Sequence, residues 1–190
     1  MPQNPPAKRY QDVNAGSTLY PKPMDGSDSQ DLDTIFCAHF ARIARAIGRV
    51  TQDQARAEEL AVEVFLKWNR HPKAQGPHAE AWLHRTAVRE ALDELRRLQR
   101  RSRFERLFAF FHRSPPTPHQ VYAASLERAN VRNVLAALQQ RQAELLLLWN
   151  EGLSYREMAA ALEVNPSSIG SLLARAQEAF RKEYLKRYGK

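Results

Sequence analysis

The run EGLSYREMAAALEVNPSSIGSLLARAQEAF, from Glu151 to Phe180, decides the fold of the C-terminal part of the chain. Ser154 followed by Glu157 is a capping box, in which each side chain takes up the other's free backbone N–H at the start of a helix. Tyr155, Met158, Ala159 and Leu162 then recur at helical spacing and predict an apolar face. Glu163-Val164-Asn165 reads as a short turn, with Asn165 a natural N-cap and Pro166 a natural first residue of a second helix. Ile169, Leu173, Ala176 and Phe180 would bury one side of that helix, and basic residues follow it. Two short helices joined by such a turn are a helix-turn-helix. The small Ala159 lets them cross closely, and the second helix suits a DNA major groove, its first turns toward base edges. Asn165, Ser167, Ser168, Ser171 and Arg175 are the candidate contacts, because hydroxyls bond phosphate or base and arginine binds phosphate or, bidentately, guanine.

Working outward, a helix from about Tyr122 to Leu138 and another from Gln142 to Trp149 precede the motif, with a stop at Glu151-Gly152. Upstream of them, SPPTPH (Ser114 to His119) places three prolines in four residues, which forbids a continuous helix and favours an extended tether. The 114–120 segment is therefore read as a Pro-rich linker between two small all-helical domains, 31–113 and 121–190. Residues 1–30 hold five prolines, two glycines and three serines and read as a disordered arm.

In the first block Ile35, Phe36, Phe40, Ile43, Ala44 and Ile47 trace one amphipathic helix, with Gly48 loosening its end. Thr51 with Gln54 predicts a capping box for a second helix, whose stripe is Leu60, Val64 and Trp68. Pro72, Gly76 and Pro77 close it. From His78 to Ser114 neither proline nor glycine occurs, and Leu83, Ala87, Ala91, Leu95 and Leu98 mark one face of a long third helix. Trp82, His84, Arg85 and Arg89 lie early in that helix. Aromatic rings beside arginines suit a DNA strand that is being opened, since arginines hold phosphates and rings stack on exposed bases. A tryptophan at an apolar position is also an ordinary core residue.

The 190 residues carry 29 Lys+Arg against 21 Asp+Glu, a net charge of +8, and its placement matters more than its sum. Arg96 to Arg113 holds seven arginines against Glu105, a local +6, and Arg175 to Lys190 holds six basic residues against two acids, a local +4. Such clusters attract a polyanion. No apolar run is longer than Leu145 to Trp149, which is far short of the ~20 residues needed to span a bilayer. The N-terminal MPQNPPAKRY has no apolar stretch behind it and predicts no secretory signal, so no membrane insertion and a cytoplasmic location are expected. The single cysteine, Cys37, fits a reducing compartment and is expected as a buried, inert thiol.

Three runs now resemble a known family. RAEELAVEVFLKW (Arg56 to Trp68), AWLHRTAVREALDELRR (Ala81 to Arg97) and the Glu151 to Phe180 run look, in that order, like regions 2 and 4 of extracytoplasmic-function (ECF) sigma factors of the sigma-70 family. The resemblance covers about residues 31–187 and implies a transcription initiation factor. Region 2 would dock on the β′ clamp helices of bacterial core RNA polymerase through Glu58, Glu59, Leu60, Val62, Glu63 and Phe65, the acids facing basic residues and the apolar side chains supporting the helix. It would open the minus-ten element with Trp82, His84, Arg85, Arg89, Arg96, Arg97, Arg100 and Arg101, Asp93 also matching that helix. Region 4 would sit near the β flap and read the minus-thirty-five element. An anti-sigma factor is a further partner the family admits. The sequence departs from the family pattern at Val62 (commonly glutamine), His84 (tyrosine), Arg89 (asparagine), Glu163 (glycine), and Gly170 and Leu172 (basic residues).

Catalysis finds no support in the residues. The six histidines and one cysteine show no metal-ligand spacing, and no glycine-rich phosphate loop occurs, so no cofactor is expected. The alternative to a sigma factor is a divergent sigma-like DNA-binding regulator that no longer programs polymerase. A protein-only adaptor would be indifferent to loss of the arginine cluster.

Overall fold

The computed structural model describes residues 32–109 and 121–189, and all of its regular structure is helical. The arm at 1–30 and the linker at 114–120 lie outside the described residues, as do the side chains of Arg103, Arg106 and Arg113.

Helix α1 (Leu32–Thr51), α2 (Gln54–Asn69) and α3 (Ala79–Ala109) pack together, with a short 3-10 turn at Pro72–Ala74 between the last two. Ile43, Ile47, Leu60, Val64, Phe65, Trp68, Leu83 and Leu92 form the centre of this unit. The Trp68 indole N–H is satisfied by the Ala74 carbonyl at 3.0 Å, so the 3-10 turn exists partly to accept it. Gly48 does not end α1. The helix runs to Thr51, whose hydroxyl donates back to the Ile47 carbonyl, and the break falls at Gln52 with φ of 60°. The expected capping box at Thr51 is therefore replaced by Asp53, which accepts from the Arg56 N–H at 3.0 Å. Cys37 also departs from expectation: it lies on the outer face of α1 and is exposed.

The C-terminal unit contains α4 (Val121–Ala137), α5 (Gln140–Asn150), α6 (Tyr155–Leu162) and α7 (Pro166–Tyr188). Gly152 takes the positive φ, 81°, that turns the chain out of α5. Both halves of the Ser154–Glu157 capping box are present, and Asn165 caps α7 with Pro166 in its first turn. Met158, Ala159, Leu162, Ile169, Leu173 and Ala176 close the core between the last two helices. Tyr155 does not join them. It is half exposed, lying over Gly170 with 3.7 Å between its ring and the place a Cβ would occupy.

The two units are not separate globules among the described residues. Helix α3 packs on α4, α5 and α6, and the buried apolar residues of both units form one continuous cluster.

Candidate nucleic-acid interface

Helix α3 explains why one stretch can be so basic and still be well packed. With 3.6 residues per turn, positions 85, 89, 96 and 99 share an arc of about 80°, set apart from the Leu83, Ala87 and Ala91 face in the core. Each of these four side chains is bonded to the C-terminal unit. The Arg85 guanidinium donates to Glu163 Oε1 at 2.6 Å, and Arg89 Nε donates to Glu144 Oε1 at 2.7 Å. Arg96 reaches the end of α4, donating to the Ala136 and Leu138 carbonyls, each at 3.2 Å, and to the Gln140 side chain. A cation there meets carbonyls that have no partner within the helix and the negative end of its dipole. Gln99 adds a 3.0 Å bond to Asn133.

Glu144 is only 2% exposed, and its remaining bond comes from Gln140 on its own helix. Burying a carboxylate is costly unless a charge and hydrogen bonds meet it, and Arg89 supplies both. Glu163 has φ of 54° and ψ of 51°, the left-handed conformation a glycine takes without strain, so the turn there does require a positive φ.

Next to this face lies a cavity of about 370 Å³, bounded by α3 and α6 and lined in part by Glu80, His84, Arg156 and Glu157. His84 is 1% exposed, and neither ring nitrogen has a hydrogen-bond partner. Burial, aided by the positive charge of Arg42, lowers its pKa to about 4. The imidazole proposed for a DNA strand is thus enclosed between the units. Trp82 is half-buried beside His71, their rings 5.8 Å apart.

The other arginines of α3 differ. Arg97 is bonded bidentately to Glu94 one turn back, at 2.6 and 2.9 Å, which holds the Glu94 carboxyl below the usual range. Arg97, Arg100 and Arg101 all lie on exposed parts of the helix.

Helix α7 presents the opposite case. Ser167, Ser171 and Arg175 are exposed and Ser168 is half-buried. Asn165 Oδ1 accepts from the Ser167 N–H at 3.0 Å and its hydroxyl at 2.8 Å, while the Ser171 hydroxyl donates to the Ser168 carbonyl. These hydroxyls keep acceptor lone pairs, and Arg175 supplies a cation with five N–H donors. Leu172 packs against the core rather than facing outward.

A third surface lies on α2. Glu58, Glu59 and Glu63 are exposed, with Val62 41% and Leu66 45% exposed between them, while Leu60 and Phe65 are buried beneath. Glu59 accepts from Arg56 at 2.8 Å and Glu58 from Gln54 at 2.7 Å. Leu66 escaped the sequence reading, although its position four residues after Val62 places both on one helix face. Glu144 and Glu163 were missed as partners of α3, since sequence spacing carries no sign of a contact 55 or 78 residues away. Among the described residues no group of three or more His, Cys, Asp or Glu side chains could hold a metal ion, and no helix is long and apolar enough to cross a membrane.

Family models match the chain twice: sigma-70 region 2 over residues 35–101 and sigma-70 region 4 over residues 128–179. The chain is 30% identical over 182 residues to the ECF RNA polymerase sigma factor SigE of Mycolicibacterium smegmatis, covering 93% of this chain and 70% of that protein. It is 31% identical over 148 residues to SigK of Mycolicibacterium vanbaalenii, covering 75% and 76%. Among solved structures, the sigma factor RpoE of Bartonella quintana, in complex with the anti-sigma factor NepR, aligns with a TM-score of 0.47 and 18% identity over 80% of this chain and 94% of that one.

Proposed function

The chain belongs to the sigma-70 family as an ECF sigma factor with region 2 and region 4 domains that directs RNA polymerase to promoters, and from that premise we propose how its surfaces divide the work. Sigma factors are not enzymes, so this chain contributes binding and positioning while the polymerase supplies the chemistry.

The outer face of α2 docks on the β′ clamp helices. Glu58, Glu59 and Glu63 meet basic residues there, Val62 and Leu66 cover apolar surface between them, and Leu60 and Phe65 hold the helix in place from below. The α3 arginines take the minus-ten element: Arg97, Arg100 and Arg101 at the phosphates from exposed helix surface, with Arg96, Arg85, Arg89, His84 and Trp82 meeting the opened strand once region 4 is no longer packed on α3. Region 4 sits by the β flap and reads the minus-thirty-five element through Asn165, Ser167, Ser168, Ser171 and Arg175 at the start of α7. The observation that carries this reading is the pairing of an exposed acidic-apolar face on α2 with an exposed basic helix-turn-helix in one chain. A duplex-binding regulator has no need of the former.

Run-off transcription with the cognate core polymerase, on DNA from upstream of this protein's own gene, tests it. Initiation should require the protein, and changing Arg96, Arg97, Arg100 and Arg101 together to alanine should abolish promoter opening while the helical circular-dichroism signal remains. Undiminished transcription from that variant would remove the minus-ten assignment.

A further inference from the structure

We infer that the chain's own N-terminal arm is the ligand of an apolar groove on region 4. The stretch LYPKPM, Leu19 to Met24, fills the groove, and the acids that follow, Asp25, Asp28 and Asp31, lie along the arginines of α1. None of these residues is assigned to promoter DNA or to the clamp helices, so the contact stands or falls apart from those assignments.

The groove has a volume of about 540 Å³ and opens between the end of α1 and helices α4, α5 and α7. Val131, Leu146 and Phe180, each half-buried, line it together with Trp149, which is 49% exposed. Apolar side chains gathered in a concave surface gain free energy when something covers them. The walls also carry Arg49, Arg128 and Arg132 against two acids, and both acids are engaged. Glu151 is held by Arg49 at 2.9 Å, and Glu127 accepts from the Tyr184 hydroxyl.

Three features select the arm as the occupant. The first is chemical. Pro21 and Pro23, between Tyr20 and Met24, preset an extended backbone that loses little freedom on docking, and such segments seat in grooves walled by aromatic rings. Here those rings are Trp149 and Phe180. The second is charge. Arg42, Arg45 and Arg49 are exposed on α1 at spacings of three and four, a single stripe that ends in the groove, whereas the 25–31 stretch has three acids and no basic residue. The third is reach. The arm joins α1 at Leu32, and from there to Arg49 the helix rises about 26 Å at 1.5 Å per residue. The twelve residues from Tyr20 to Leu32 span up to about 40 Å, enough to reverse direction and lay the acids beside the arginines. The other proline-rich stretch, Ser114 to Gln120, offers no acid and no aromatic or long aliphatic side chain. Filled in this way, the groove is closed to other apolar partners until the arm leaves.

The test uses the full chain with a photoreactive benzophenone replacing the Tyr20 side chain. Irradiation of the monomer should join it to the segments of α4, α5 or α7 that line the groove. Changing Asp25, Asp28 and Asp31 together to asparagine should lower that yield by about threefold, and Arg45→Glu should do the same, since neither change touches the groove itself. Trp149 gives a second readout in a Trp82→Phe background, because Trp68 is fully buried and silent to quenchers. Removing residues 2–24 should raise acrylamide quenching of Trp149 by about twofold, and a synthetic peptide of residues 17–31 should reverse the rise where a shuffled peptide does not. Unchanged quenching on truncation, or cross-links confined to other surfaces, overturns the inference. Cross-links between two copies overturn it as well and place a second chain in the groove instead.

Discussion

Helices α3 and α7 are both long, both basic toward their C-terminal ends and both assigned to DNA, yet they meet solvent differently. The start of α7 turns its serines and Arg175 outward, held only by local caps. The equivalent resource of α3 is divided. Arg85, Arg89 and Arg96 are bonded to the neighbouring domain, whereas Arg97, Arg100 and Arg101 remain on exposed helix surface. The difference teaches that a cluster of arginines specifies affinity for oxygen anions without specifying which anion. DNA phosphates, a buried glutamate and the carbonyls at a helix end all satisfy a guanidinium, and whichever is nearest at high effective concentration wins.

The comparison breaks most severely if the platform beneath α7 is removed. Ile169 is fully buried one turn into that helix, and Ile169→Ala should cost about 2–5 kcal/mol in urea unfolding through lost burial and the cavity left behind. Minus-thirty-five binding and the Arg85–Glu163 and Arg89–Glu144 pairs should fail together, because both are mounted on the region 4 core. Loss of one with the other intact would show that the two faces are supported separately.

Acid should act on the covered face first. An unfolded His84 takes up a proton near pH 6.5, whereas in the folded chain it stays neutral down to about pH 4, with Arg42, His39, Glu80 and Glu157 the charged or titratable groups around it. The unfolded state therefore binds more protons in that interval, so stability falls as pH drops from about 6.5 toward 4, by roughly 3 kcal/mol at most. Glu94 and Glu157 have carboxyls held below the usual range by Arg97 and Ser154, so their contributions are lost only at more acid pH. Unfolding free energies measured between pH 7 and 4.5 should slope steeply for the native chain and much less for His84→Phe. Equal slopes would mean that the imidazole is not enclosed between α3 and α6.

The smallest expected effect sharpens the open face. Arg175→Ala should leave stability within about 0.5 kcal/mol, since the side chain is exposed. Holoenzyme affinity for promoter fragments should drop by about 1–3 kcal/mol if Arg175 contacts a base, with relaxed preference at one position of the minus-thirty-five element. A uniform loss across sequences, with a shallower salt dependence, would make it a phosphate contact instead.

Local chemistry was readable wherever partners lie within one turn. Ser154 with Glu157, Asn165 with Pro166 and the stop at Gly152 all stand where the sequence places them, because caps and tight turns are closed by residues three or four apart. The same reasoning failed at Thr51, where Asp53 competes for the same task and sits closer to the first free N–H groups of α2. It misjudged side chains whose burial depends on other elements. Cys37 is on the outer face of α1, Tyr155 covers Gly170 instead of entering the core, Leu98 is at the edge of exposure, and His84 is enclosed by a helix from the other domain.

The sequence alone determined that this chain is helical, that residues 151–180 form a helix-turn-helix, and which runs mark regions 2 and 4, since periodicity, caps and motif order are properties of neighbouring residues. Only the tertiary structure decided that region 4 folds back onto α3, that Glu144 and Glu163 become partners of Arg89 and Arg85, and that two basic helices differ in what they can reach. Those pairings join residues 55 and 78 positions apart, and their energy comes from desolvation and charge brought together by packing, which no local pattern encodes.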